Sequence, residues 1–163
     1  MNLEERAVAC LKEKGYTITT AESCTGGMLA SRLINVPGIS DIYGEGYITY
    51  SNDAKEHLLG VSADALRQYG AVSTVVAKQM AFGAAQAAGT DVALAVTGIA
   101  GPDGGTAEKP VGLVYIGCCI KGKTVVTENH FEGSRLEIRQ QTTQSALRLL
   151  LECLGVSEVR MDE

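Results

Sequence analysis

Strands and helices that interleave along the chain predict an α/β fold: a three-layer α/β/α sandwich around a mixed, mostly parallel five-stranded sheet with one antiparallel strand. Three observations carry this reading. Residues 16–20 and 43–51 are rich in β-branched and aromatic side chains, and a stretch with helical apolar spacing separates them. Residues 91–97 are almost wholly apolar, as in a central strand covered on both faces. Lys121-Gly122 then joins two further strands, 111–120 and 123–131, as a hairpin, which supplies the antiparallel strand.

The elements follow in order. Leu3, Ala7, Val8 and Leu11 form one stripe of a first helix at about 3–14, and Gly15 stops it. The first strand runs into the turn Thr19-Thr20-Ala21-Glu22-Ser23-Cys24-Thr25-Gly26-Gly27. A second helix leaves this turn and breaks at Val36-Pro37-Gly38. After the second strand, Ser51 or Asn52 caps a helix at 53–59 that Gly60 closes. Ser62 opens a short helix, and Ser73 caps a long Ala-rich one at about 74–88, closed by Gly89. The third strand feeds a glycine-rich loop, 98–110, of a length that is usually functional or disordered. A last helix spans about 134–153, and the tail from Gly155 reads as frayed. There is no internal repeat or linker, so the 163 residues form one domain with its core at about 3–154.

Composition narrows the function. The formal net charge of −5 argues against generic nucleic-acid binding. No apolar run is long enough to span a bilayer, and Met1-Asn2-Leu3-Glu4-Glu5-Arg6 is acidic and helical rather than a signal peptide. The expected location is the cytoplasm, without membrane partners. Cys10, Cys24, Cys118, Cys119 and Cys153 show no Cys-x-x-Cys pair or accompanying histidine cluster. They are expected to be reduced, with no metal and no cofactor.

Ligands bind beyond the carboxyl ends of strands in such sheets. The three strand ends expected to meet there carry Ser23, Ser51 and Gly98. At the first of them, Ser23 or Thr25 reads locally as a helix cap. The same turn could also present a serine nucleophile, which needs a base. His57 and His130 are the only histidines, and neither is marked for that role. Lys55 is the alternative, since a desolvated lysine can serve as base. Tyr50 and Lys55 bracket one strand-to-helix junction, although Asp53 and Glu56 could simply pair with Lys55. Arg135 and Arg139 stand one helical turn apart and could grip a phosphate or form a solvated face.

Four motifs in order then carry a resemblance: Thr20-Ala21-Glu22-Ser23-Cys24-Thr25-Gly26-Gly27, Thr49-Tyr50-Ser51-Asn52-Asp53-Ala54-Lys55, Gly98-Ile99-Ala100-Gly101-Pro102-Asp103-Gly104-Gly105, and Lys109-Pro110-Val111-Gly112. Together they resemble the CinA C-terminal domain family over nearly the whole chain, in its stand-alone form without the molybdopterin-binding-like domain. The resemblance implies hydrolysis of nicotinamide mononucleotide to nicotinate mononucleotide and ammonia by a metal-independent Ser/Lys mechanism, in pyridine nucleotide salvage. It makes Ser23 the nucleophile, Lys55 the base and Tyr50 a helper in proton transfer or positioning. Substrate contacts are expected at Thr25, Gly26 and Gly27, at Asn52, at Thr97 and Gly98, at Gly101, Gly104 and Gly105, and at Arg135 and Arg139. A homo-oligomer, a dimer, is expected. Two rival readings stay open: a Cys24 nucleophile with His57 as base, and a non-catalytic module that senses nucleotides or binds a partner.

Overall fold

In a computed structural model that describes residues 1–156, the chain runs α1 (Leu3–Lys14), β1 (Ile18–Glu22), α2 (Met28–Ile34), a 3-10 turn (Ile39–Asp41), β2 (Tyr47–Ile48) and α3 (Asn52–Leu59). It continues through α4 (Ala63–Tyr69), α5 (Thr74–Ala88), β3 (Val92–Gly98), β4 (Leu113–Ile120), β5 (Lys123–His130) and α6 (Arg135–Cys153). The expected frayed tail concerns residues that lie, from 157 on, outside those described.

The strands form one sheet in the order β2-β1-β3-β4-β5. β1 pairs in parallel with both β2 and β3, whereas β4 is antiparallel to β3 and to β5. This is the expected mixed sheet, with β4 as the one reversed strand.

The alternation of side chains along β3 explains the layers. Val92, Leu94 and Val96 face a core shared with Leu11 of α1, Leu33 of α2 and Leu147 and Leu150 of α6. Ala93 and Ala95 face the other way, onto Met80, Ala81 and Ala84 of α5. Large side chains thus hold the α1/α2/α6 layer, and each buried leucine contributes roughly 1.5–3 kcal/mol. Small ones let α5 lie close on the opposite face, which is why that helix is Ala-rich. α3 packs closely in turn on α5: a Cβ at Gly83 would lie 1.8 Å from the Leu59 carbonyl oxygen. Gly→Ala inside a helix ordinarily stabilises by up to about 1 kcal/mol. Gly83→Ala is expected to do the reverse, destabilising by about 1–3 kcal/mol because backbone must move. A urea titration measures the sign, and a gain in stability would refute the close α3–α5 packing.

Two local expectations need correction. The second strand is only Tyr47–Ile48, not 43–51. Upstream of it, side chains of β1 hold residues 43–45 in place of a ladder. Thr19 Oγ1 donates to the Glu45 carbonyl at 2.7 Å, and Tyr43 Oη shares a 2.8 Å hydrogen bond with Thr20 Oγ1. Further, α2 begins at Met28 and neither Ser23 nor Thr25 caps it. Its N-cap is Gly27 at φ 104°, a left-handed conformation that glycine adopts without strain. The carboxylate of Glu22 takes the capping role, accepting from Leu29 N at 2.8 Å and Ala30 N at 3.0 Å.

Candidate active site

The sheet brings the three expected strand ends together. Glu22 is in register with both Ile48 and Val96. One residue further, Ser23 N donates to the Val96 carbonyl at 3.1 Å and Thr49 N to the Glu22 carbonyl at 2.8 Å. Ser23 and Thr49 therefore leave the sheet side by side. Ser51 then caps α3 by accepting from Ala54 N at 3.0 Å, which starts the helix so that Lys55 points inward.

Lys55 is 1% exposed, the bulkiest of the fully buried side chains among the described residues. Its Nζ lies 2.9 Å from Ser23 Oγ and donates to the Thr49 carbonyl at 2.7 Å. No carboxylate is bonded to it among the described residues, so the expected alternative partners, Asp53 and Glu56, do not engage it. Burial lowers its pKa from 10.5 to about 8, with Cys24 acting in the opposite direction. A buried ammonium loses hydration that this pocket does not replace, so the neutral amine is favoured. Because a carbonyl can only accept, Thr49 fixes one N–H of that amine and leaves its lone pair free for the Ser23 hydroxyl.

Above the pair opens a cavity of about 330 Å³. Of the predicted residues, Ser23, Tyr50, Asn52 and Lys55 line it, as do Thr97, Gly98, Gly101, Gly104 and Arg135. Arg135 stands at the lip: it donates to the Gly101 carbonyl at 2.8 Å and to Tyr50 Oη at 3.0 Å. The other predicted residues lie outside the lining. Thr25, Gly26 and Gly27 form the turn behind Ser23, and Gly105 packs against Val111. Arg139, one turn along α6 from Arg135, donates to the carbonyls of Cys24 at 2.9 Å and Thr25 at 3.0 Å.

The histidines stand apart from the cavity lining. His57 is exposed on α3, and exposed His130 lies 3.3 Å from Glu128. Cys24 lines the cavity, but burial pushes its thiol up to about 11. Among the described residues no three His, Cys, Asp or Glu side chains gather as a metal ion would require, and no helix is long and apolar enough to cross a membrane.

Sequence reasoning missed Glu22 and Thr49 as parts of the site, and Asp103, which also lines the cavity. A signal for Glu22 was present, since a carboxylate in a strand otherwise fit for burial needs dedicated donors. Thr49 acts through its carbonyl, which any residue would supply, and so has no signature.

The fold and this site define a class: an α/β/α domain with a buried serine–lysine pair where its parallel strands end. The family model described as the CinA C-terminal domain matches residues 1–154, and the chain belongs to that family. A Clostridium beijerinckii relative bearing the competence-damage inducible name is 54% identical over 150 residues, 92% of this chain and 37% of its own length. A CinA-like protein of Kosmotoga olearia is 52% identical over 146 residues, 90% of this chain and 35% of its own. The chain thus spans little more than a third of these curated relatives. Among solved structures, a CinA superfamily protein of Klebsiella pneumoniae superposes with a TM-score of 0.91 at 35% identity, covering 94% of this chain and 96% of that one. The competence/damage inducible protein CihA of Agrobacterium tumefaciens gives 0.90 at 42% identity, covering 94% and 93%.

Proposed function

We propose that this chain is an amidohydrolase that converts nicotinamide mononucleotide to nicotinate mononucleotide and ammonia with Ser23 as nucleophile and Lys55 as base. The observation that carries the reading is the 2.9 Å approach of a buried lysine amine to a serine hydroxyl at the foot of a polar cavity. A buried lysine is costly, and a pKa held near neutrality is what a general base requires.

The chemistry follows from these groups. Neutral Lys55 takes the Ser23 proton as Oγ bonds to the carboxamide carbon. Backbone N–H groups of the turn after Ser23 receive the oxyanion, as in strand-to-turn nucleophile sites generally. The C–N bond breaks as the Lys55 ammonium returns a proton to the departing ammonia. Water then attacks the acyl ester, giving a proton to Lys55, and Ser23 is regenerated as nicotinate mononucleotide leaves. Arg135 supplies the positive charge at the lip for the 5′-phosphate. Tyr50 positions it through the Arg135–Tyr50 hydrogen bond. A neutral Cys24 thiol and the absence of histidine from the cavity lining weigh against a cysteine nucleophile.

An ammonia-release assay comparing the mononucleotide with its dephosphorylated riboside tests the substrate. The mononucleotide is expected to be hydrolysed with the higher kcat/KM. Arg135→Ala is expected to reduce that preference by roughly tenfold to a hundredfold, mainly through KM, as losing a charge-assisted phosphate contact does. Equal kcat/KM for both substrates would remove the phosphate role. Binding of the mononucleotide with no ammonia formed would favour the non-catalytic reading instead.

A further inference from the structure

The turn between Ser23 and Gly27 is gripped from two sides by charged side chains that do not line the cavity. On one side stands the fully buried Glu22 carboxylate. Its Oε1 accepts from Thr25 Oγ1 at 2.7 Å and Leu29 N at 2.8 Å, and its Oε2 from Ala30 N at 3.0 Å. On the other, the Arg139 fork holds two successive carbonyls, those of Cys24 and Thr25. A carboxylate can only accept and a guanidinium can only donate. Glu22 therefore takes the Thr25 hydroxyl together with the Leu29 and Ala30 N–H groups of α2, and Arg139 takes two carbonyls of the turn itself.

These bonds fix the peptide planes. A trans peptide sets each N–H opposite the preceding C=O. The Cys24 carbonyl on Arg139 turns the Thr25 N–H away from α6. The Ser23 carbonyl, which accepts from Gly26 N at 3.2 Å, turns the Cys24 N–H away from Gly26. Neither N–H has an acceptor among the described residues, apart from the weak one offered to Cys24 N–H by its own sulfur. Yet Thr25 is fully buried and Cys24 nearly so. Adjacent buried N–H groups left unpaired are uncommon, and these two directly follow Ser23.

We propose that Glu22 and Arg139 are positioning residues that hold the Cys24 and Thr25 N–H groups as oxyanion donors. This rests on Ser23 being the nucleophile. It gives Arg139 a role distinct from that of Arg135: Arg135 meets substrate at the lip, whereas Arg139 acts on the transition state through the backbone. Neither Glu22 nor Arg139 lines the cavity, so their removal should spare ground-state binding.

The test measures four quantities for the parent, Arg139→Gln, Arg139→Lys and Glu22→Gln: kcat, KM, the Kd of nicotinate mononucleotide, and the rate of Ser23 labelling by an alkyl fluorophosphonate. In that labelling the Oγ–P bond forms, the P–F bond breaks, fluoride leaves and Lys55 takes the proton, while the phosphoryl oxygen occupies the oxyanion position. Arg139→Gln is expected to lower kcat and the labelling rate together by about a hundredfold. KM and product Kd should stay within about threefold, and Arg139→Lys, which restores one of the two carbonyl bonds, should recover about tenfold. Glu22→Gln, which keeps one acceptor oxygen, should show the same split and supplies the test if Arg139→Gln does not fold. A folded variant with unchanged kcat and labelling overturns the proposal, as does a rise in KM and product Kd with kcat intact. If the parent labels at Ser23 but releases no ammonia from the mononucleotide, the substrate reading fails, and the labelling comparison still decides the positioning role. If Ser23 of the parent does not label at all, the nucleophile and the positioning role fall together.

Discussion

Ser23→Ala and Lys55→Met are each expected to abolish ammonia release from nicotinamide mononucleotide, a loss on the order of 10⁴-fold or more, since the proposed nucleophile and base act as one unit. The two variants differ in what they do to stability. Ser23→Ala removes one hydrogen bond partner of Lys55 and leaves a buried amine less satisfied, so a small loss of about 1 kcal/mol is expected. Lys55→Met keeps the unbranched stem that fills the space beneath the cavity and deletes the amine. Holding a lysine at a pKa of about 8 rather than 10.5 costs the fold about 3 kcal/mol at neutral pH. Against this stand the two hydrogen bonds to Ser23 and Thr49, each worth about 1 kcal/mol. Lys55→Met should therefore be inactive and at least as stable as the parent, a sign opposite to that of most core substitutions. Thermal melts beside the activity assay check both halves. An inactive variant that was also severely destabilised would mean that Lys55 is held for structure rather than for chemistry.

That a lysine and a serine so far apart in sequence meet could be read from where the strands end, but the reason they meet tightly could not. Strand ends at Ser23 and beyond Ile48 follow from local patterns, and parallel pairing then brings the two ends to one edge. The Ser51 cap is also local, and it alone decides which helical face Lys55 takes. The cap of α2 departs from the local pattern for a related reason. Ser23 and Thr25 have the right chemistry and position, but a carboxylate in the strand accepts from two backbone donors at once and displaces them. Nothing local distinguishes Arg135 from Arg139, since one helical turn separates them and both are arginine. Only the packing of α6 sends the first to Gly101 and Tyr50 and the second to the turn carbonyls. The shortness of β2 was equally hidden, because it depends on which side chains of β1 reach across to residues 43–46.

The pH dependence of kcat/KM should show an acid limb with an apparent pKa of about 8, the value at which burial holds Lys55. The neutral amine is the active form, so the rate falls about tenfold per pH unit below that value and levels off above it. Stability follows the same group with a sign that can be worked out. The folded-state pKa is depressed, so between about 8 and 10.5 the unfolded chain binds more protons than the folded one. The contribution of Lys55 to stability is therefore at its least favourable below pH 8, improves as pH rises through that window, and loses its penalty above 10.5. Lys55→Met lacks this contribution, and the one titration coupled to Lys55, that of the Cys24 thiol, lies at about 11, above the pH window compared. The stability advantage of the variant over the parent should thus be largest at pH 7 and shrink by about 2 kcal/mol by pH 9.5, at 1.36 kcal/mol per pH unit beyond the folded-state pKa. Urea titrations of both proteins at the two pH values measure the difference. A kcat/KM profile that is flat from pH 6.5 to 9, together with a stability difference that does not move, would show that Lys55 is charged throughout and cannot be the base.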